Sequence, residues 1–315
     1  MERPDAKVAG ILNLDKPYGM GSMDVVRRIK RASGLKRVGH GGTLDPIATG
    51  VIPVCIGQAT RIMEYLVSGT KEYRAEVELG AETDTYDAQG QVTGRQDPSH
   101  VTLDDITESL GEFHGVIQQV PPMYSALKQK GKRLYELARA GIEVEREPRR
   151  VEVFKIEVQE WSPPVVTLEV GCGRGFYMRS LAYDLGRALG CGAHLKGLVR
   201  LRTGPFKITE ALSLDDAERK FDDGTWRDAL HAPDAVLGNT RAFIVGRRTE
   251  DMIRDGRPVP SGPRIPPTGP GEECRVYSVD GRFVAIVAFD AAARQWRPSK
   301  VFSLDYAEDG DPTTD

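Results

Sequence analysis

Cysteine is scarce: Cys55, Cys172, Cys191 and Cys274 are the only four in 315 residues, and none belongs to a C-x-x-C pair. No H-E-x-x-H occurs either. These absences argue against a zinc site or a disulfide framework and leave single thiols, which usually serve as small core residues. Long apolar runs are missing as well; none approaches the roughly 18 residues needed to cross a membrane. Met1 to Gly10 is polar and lacks the apolar stretch of a secretory signal, so the chain reads as cytoplasmic. The 34 glycines and 20 prolines follow no period, which removes collagen-like and low-complexity architectures.

What is present is ordinary folded-protein material, 40% hydrophobic and 28% charged, enough for a sizeable core. The length suggests roughly two domains. The net charge of −3 is unevenly spread. The last eleven residues, from Asp305, hold five acids and no Lys or Arg, so the remainder carries +2. Positive charge then clusters. Arg27, Arg28, Lys30, Arg31, Lys36 and Arg37 form a run with no acid. Arg187, Lys196, Arg200, Arg202 and Lys207 fall in an acid-free stretch between Asp184 and Glu210. Lys128, Lys130, Lys132 and Arg133 make a third cluster. A charge run is commonly a solvated face; three runs emptied of acids point to a polyanionic partner.

Patterning gives the organisation. Residues 1–11 read as a short polar arm. Ser22 to Ser33 reads as a helix stopped by Gly34, and Gly39 to Gly50 as a loop rich in Gly and Thr. Tyr73, Ala75, Val77 and Leu79 alternate with charged residues, the period of a half-buried strand. Thr102 opens a helix bearing Leu103, Ile106, Leu110 and Phe113; Val151 to Val158 and Val165 to Val170 are strands; Tyr177 to Leu189 is a helix. Strands and helices interleave without a regular beat, which predicts an α+β fold. Arg257 to Gly271 reads as a long loop. Beyond it Asp280-Gly281 separates two strand-like runs, a hairpin signal. The expected organisation is a large unit over 1–235, a small β-rich module over 240–304 and an acidic, disordered tail over 305–315.

Two segments invite chemical readings. Val170-Gly171-Cys172-Gly173-Arg174-Gly175 follows a strand and resembles the cofactor loop of S-adenosylmethionine methyltransferases. That reading needs an acid about 20 residues further on to hold a ribose. None occurs from Arg187 to Thr209, and too little chain follows for a doubly wound sheet. The second segment is Gly39-His40-Gly41-Gly42-Thr43-Leu44-Asp45-Pro46-Ile47-Ala48-Thr49-Gly50. Asp45 precedes a proline and is held extended, so the surroundings can present a carboxylate at the tip of a rigid loop. A plain Asx-turn is the alternative for Asp45, and a hydrogen-bonded structural histidine for His40.

Taken with other segments, the Asp45 loop resembles the catalytic loop of bacterial tRNA pseudouridine synthases of the TruB type, which isomerise uridine 55 in the T arm. Leu12-Asn13-Leu14-Asp15-Lys16-Pro17-Tyr18-Gly19, Lys71-Glu72-Tyr73-Arg74 and Asp87-Ala88-Gln89-Gly90 are similar to further family motifs. So are Pro122-Met123-Tyr124-Ser125-Ala126-Leu127-Lys128, Gly175-Phe176-Tyr177-Met178-Arg179-Ser180 and Leu198-Val199-Arg200-Leu201-Arg202. They occur in the family's order over about 12–212. Gly21 stands where the family often has Thr, and Gly41 where Thr or another small residue is usual.

The resemblance implies a pseudouridine-synthase catalytic domain with a central mixed, largely antiparallel sheet flanked by helices, plus a small C-terminal PUA-like RNA-binding β domain. It implies Asp45, Arg179 and Tyr73 as catalytic residues, with Tyr73 stacking on a flipped uracil. His40, Leu198, Tyr177, Lys16 and Pro17 become substrate-binding or loop-supporting residues. Arg27, Arg28, Lys30, Arg31, Lys128, Lys130, Lys132, Arg200 and Arg202 become candidate phosphate contacts. The reaction neither gains nor loses atoms, so no cofactor and no metal are expected. The expected partner is tRNA through its T-arm stem-loop, with no membrane, bound by a monomer. A methyltransferase acting on the same arm, or a non-catalytic RNA-binding protein, would share much of the charge pattern. Methylation adds mass; isomerisation does not.

Overall fold

The structure, a computed structural model, describes residues 8–125, 127–129, 131–262 and 266–304. Lys130 and the acidic stretch 305–315 lie outside the described residues.

The chain begins with β1 (Ala9–Lys16), α1 (Ser22–Ser33), β2 (Val38–His40), β3 (Ala48–Gly57), α2 (Met63–Ser68), β4 (Lys71–Leu79), β5 (Ala81–Thr83) and β6 (Val92–Arg95). It continues through α3 (Leu103–Leu110), β7 (Gly115–Gln119), β8 (Lys128–Gln129), β9 (Lys132–Arg133), α4 (Leu134–Arg139), β10 (Arg149–Ser162), β11 (Val165–Cys172) and α5 (Met178–Ala188). Next come β12 (Ala193–Thr203), β13 (Phe206–Lys207), β14 (Leu212–Ser213), α6 (Leu214–Asp222), β15 (Arg241–Val245) and α7 (Arg247–Arg254). The last strands are β16 (Val259–Pro260), β17 (Glu273–Ser278), β18 (Phe283–Asp290) and β19 (Gln295–Val301).

Local chemistry explains the element ends. In α1, Val25, Val26 and Ile29 face inward, and Gly34 closes the helix at φ 66°, a left-handed conformation that favours glycine. In α3 the Asp105 N–H donates to Thr102 Oγ1 at 3.2 Å and the Thr102 N–H donates back to Asp105 Oδ2 at 2.8 Å, a reciprocal cap. Along β4, Ala75, Val77 and Leu79 are buried while Arg74 and Glu76 on the alternate face are exposed. β3 differs. Ile52, Val54 and Ile56 enter the main core, and Val51 and Cys55 on the opposite face enter a second one. Covered on both faces, β3 reads as a near-continuous apolar run rather than an alternation.

Ten strands form the large sheet, in the order β14-β1-β3-β12-β4-β11-β10-β7, with β13 on β12 and β2 on β3. Neighbours are antiparallel except β1 with β14 and β3 with β12, which are parallel. Helices α1, α3, α5 and α6 cover one face, contributing Val25, Ile29, Ile106, Leu110, Leu181, Leu185, Leu214 and Ala217 to the main core. This is the expected α+β fold with a mixed, largely antiparallel sheet. A separate five-stranded sheet, β15-β17-β18-β19-β16, has its own core around Trp296. Its Phe283 and Ile286 join Ile11, Val51 and Cys55 of the large sheet in a shared cluster.

Two expectations change. The polar arm ends earlier than its composition suggests, because Ala9 already pairs with Gly57 in β1 and Ile11 is fully buried. The expected 39–50 loop is shorter, since β2 and β3 claim both its ends. The Gly-rich segment at 171–175 joins β11, whose sheet neighbours β4 and β10 are antiparallel, to α5. That is not the doubly wound parallel arrangement of a nucleotide-binding fold.

Candidate active site

Asp45 lies between β2 and β3, and several groups fix its loop. Ser22 Oγ accepts from the Leu44 N–H at 2.8 Å and donates to the Leu44 carbonyl at 2.9 Å. The Gly19 N–H donates to the Pro46 carbonyl at 2.8 Å, and the Ala48 N–H to the Asp45 carbonyl at 3.0 Å. Asp15 Oδ1 accepts from the Gly50 N–H at 3.0 Å. Gly50 adopts φ +97°, and a Cβ there would lie 2.3 Å from the Arg200 carbonyl oxygen, so the close approach to β12 requires glycine. The loop is pinned at both ends, and the Asp45 side chain stays 37% exposed.

Arg179 rises from the first turn of α5 to meet it. Its Nη2 is 2.8 Å from Asp45 Oδ2, and its side chain is 5% exposed. The same Nη2 donates to the Tyr124 carbonyl at 2.8 Å. On the far side Asp87 Oδ2 stands 3.7 Å from Arg179 Nε. Asp87 is itself fixed, accepting from Thr85 Oγ1 at 2.7 Å and from the Gln89 N–H at 3.0 Å. A guanidinium held from two sides in a poorly solvated place keeps the half-open carboxylate aimed.

The other expected residues converge around this pair. Tyr73 on β4 is half-buried against the main core and pairs with Arg200 of β12. Burial pushes its phenol above the ordinary value, and the Arg200 guanidinium pulls the other way. Leu198 is buried two residue pairs further along, opposite Ala75 of β4 and Ala48 of β3. Tyr177 caps α5; its backbone exchanges two hydrogen bonds with the Gln119 amide, at 2.8 and 3.1 Å. Burial raises its phenol as well, with Asp45 adding to the rise. His40 Nδ1 accepts from the Gly42 N–H at 3.3 Å. Burial and the nearby Arg200 hold its imidazole below the ordinary value, so the ring is neutral with Nε2 as donor.

Lys16 is fully buried and donates to the carbonyls of Pro17 at 3.0 Å and Met20 at 2.6 Å. Burial lowers its ammonium to about 8. Pro17 itself is exposed, a backbone anchor for that hydrogen bond rather than a wall of the site.

The basic residues divide. Lys30, Arg31 and Lys132 are exposed. Arg27 pairs with Asp24, and Arg28 with Asp215 at 2.9 Å and with Glu218, so acids distant in sequence neutralise part of the α1 run. Arg202 pairs with Glu72. Lys128 contributes its backbone to β8. Arg200 corrects its expectation as a phosphate contact: it is 1% exposed and turns its guanidinium inward.

Asp87, Ser22 and Gln119 were not legible as site residues. Asp87 lies in the segment Asp87-Ala88-Gln89-Gly90, and its partner Arg179 is far away in sequence. Ser22 looked like an ordinary helix start. Among the described residues no group of three His, Cys, Asp or Glu side chains is placed to hold a metal ion, and no helix is long and apolar enough to cross a membrane.

Comparison with known proteins fits this geometry. Residues 30–178 match the N-terminal domain of the TruB family of pseudouridylate synthases, and residues 179–236 match the C-terminal domain of tRNA pseudouridylate synthase B. A tRNA pseudouridine synthase B from Dehalococcoides mccartyi is 46% identical over 293 residues, 93% of this chain and 96% of the relative. One from Symbiobacterium thermophilum is 47% identical over 254 residues, 80% of this chain and 83% of the relative. Among solved structures, a chain of a Cbf5–Nop10–Gar1 complex superposes with TM-score 0.72 at 29% identity, covering 94% of this chain and 85% of that one. That likeness includes the smaller, PUA-like C-terminal β unit. The chain belongs to the TruB family, and it is a tRNA pseudouridine synthase, an isomerase.

Proposed function

We propose that the uridine converted is the one at position 55 of the tRNA T arm, and that Asp45 is the catalytic carboxylate. The observation that carries this is the Asp45–Arg179 pair, 2.8 Å apart, with the arginine buried and Asp45 half-open. The reaction breaks the N1–C1′ bond, turns the uracil and joins C5 to C1′; a proton leaves C5 and N1 takes one up, so the product is an isomer. Asp45 serves either by adding covalently or by removing a ribose proton on a glycal route. Tyr73 stacks on the flipped base and moves the C5 proton, while Leu198 closes the other face. His40 faces the RNA at the vacated position. The exposed Lys30, Arg31 and Lys132 contact phosphates, the C-terminal β unit over 240–304 extends the RNA footprint, and the enzyme works in the cytoplasm, where its tRNA substrate is.

The test is conversion of unmodified RNA without cofactor, followed by nucleoside analysis. A T-arm stem-loop should be a substrate and a linear oligonucleotide of the same loop sequence a poor one, because recognition of a splayed-out base depends on loop shape. Equal rates on both withdraw the T-arm assignment. Asp45→Asn should lose the rate by orders of magnitude with tRNA affinity kept within roughly tenfold, about 1.4 kcal/mol. Near-normal turnover of that variant would end the proposed role.

A further inference from the structure

Arg200 is among the largest fully buried side chains, at 1% exposure. No ion pair engages it among the described residues. Its donors go to backbone instead: Nε to the Val51 carbonyl at 2.6 Å, Nη2 to the Gly42 carbonyl at 3.2 Å and Nη1 to the Thr43 carbonyl at 3.4 Å. Gly42 and Thr43 precede Asp45 in its loop, and Val51 follows it on β3. One side chain therefore spans both ends of the loop. The backbone of Arg200 lies in β12, opposite Gly50 in the parallel pair and opposite Tyr73 in the antiparallel pair. The absent Cβ of Gly50 is what lets the two strands close to this distance.

Burying an arginine without a carboxylate is costly, and its donors must be satisfied by something fixed. Three carbonyls do that here. A packing role alone would be met by an apolar side chain of similar volume, with no charge to bury. The guanidinium also sits near the Tyr73 phenol and the His40 imidazole.

We propose that Arg200 is a positioning residue for the isomerisation: its guanidinium sets the height of the Asp45 loop over β12 and the place of the Tyr73 phenol relative to it. It touches no RNA. The inference rests on the roles proposed above for Asp45 and Tyr73. It predicts that disturbing Arg200 changes the chemical step and not RNA affinity, since misplacement of a reacting group by about 1 Å can cost on the order of a hundredfold in rate.

The experiment compares Arg200→Lys and Arg200→Gln with the full-length wild type, using single-turnover conversion of unmodified tRNA, tRNA affinity by filter binding, and melting temperature. Arg200→Lys should fold, bind tRNA with affinity within about threefold of wild type and convert it roughly a hundredfold more slowly. The Arg200→Lys and Tyr73→Phe losses should be less than additive, because one acts through the other. A wild-type rate in Arg200→Lys, or a loss in which affinity falls as far as rate, overturns the proposal. Should both variants fail to fold, 15N-arginine NMR of the wild type decides. A guanidinium bonded to three carbonyls has slowly exchanging Nη protons, and fast exchange of every arginine side chain overturns the proposal. Asp45→Asn and Tyr73→Phe are run in parallel. If they keep full rates, the proposed site fails; if they lose activity while Arg200→Lys keeps it, only this inference fails.

Discussion

Arg179 reaches back to Asp87 on the side away from Asp45, its Nε 3.7 Å from Asp87 Oδ2, in a pair whose side chains are 5% and 7% exposed. The guanidinium is thus shared: one carboxylate is half-open to substrate and the other is sealed behind. The rear acid has its own tethers in Thr85 Oγ1 and the Gln89 N–H, so it resists following the arginine when substrate enters.

Asp87→Asn keeps the shape and removes that rear charge. Arg179 would then be held by Asp45 and the Tyr124 and Thr85 carbonyls alone. The conversion rate should fall by roughly tenfold to a hundredfold, with tRNA affinity little changed. Single-turnover kinetics beside a binding isotherm measure this, and an unchanged rate would show that Asp45 alone orients the arginine.

The α1 cations should separate by their partners. Each phosphate contact contributes about one unit to the slope of log affinity against log salt. Replacing Lys30 and Arg31 together by Gln should lower the slope by about two. Arg28→Gln should leave it nearly unchanged, because Arg28 is already spent on Asp215 and Glu218. Titrations from low to moderate salt give both answers; a slope unaffected by the double change would remove α1 from the RNA interface.

Lys16 gives a pH prediction. Its ammonium is lowered from 10.5 to about 8 by burial. The folded state therefore sheds this proton earlier than the unfolded chain does. Below pH 8 the native state bears the whole cost of the buried charge; between 8 and 10.5 the unfolded chain binds more protons, so native stability gains as pH rises. The difference is on the order of 3 kcal/mol. Other groups titrate in the same window, so the quantity to follow is wild type minus Lys16→Met in urea unfolding. That difference should be flat below pH 7.5 and move toward wild type up to pH 10.5. A flat line throughout would mean that Lys16 keeps its ordinary value in the fold and that its burial does not lower it.

Gly41 has a local cause. A Cβ there would lie 2.5 Å from Leu66 Cδ1 and 2.6 Å from Leu66 Cβ, and Leu66 is buried. Gly41→Thr should destabilise by about 1–3 kcal/mol through overpacking. Adding Leu66→Ala should recover part of this, giving a favourable coupling above about 0.5 kcal/mol in a double-mutant cycle. Additive urea midpoints would mean that the loop, not Leu66, absorbs the methyl group.

The elements with clean periodicity were legible in advance. Helix α1 begins at Ser22 and ends before Gly34 as its pattern predicts, and β4 follows its alternation. Three things were not. The first strand was hidden because its opening, from Ala9, borders a polar stretch, and only pairing with β3 reveals it. The neutralisation of Arg28 by Glu218 and the place of Asp87 behind Arg179 depend on contacts between residues far apart in the chain. Arg200 was misread for a related reason: an arginine in an acid-free run looks like surface until the two strands beside it are known.

The shared cluster of Ile11, Val51 and Cys55 with Phe283, Ile286 and Phe302 means that the C-terminal sheet acts as a retaining wall behind β3. A gene truncated after Gly238 would uncover the back of the strand that leaves the Asp45 loop, just where Val51 takes the Arg200 hydrogen bond. Such a deletion would slacken the loop that carries Asp45. The matched boundary at residue 236 is accordingly no place to cut the protein.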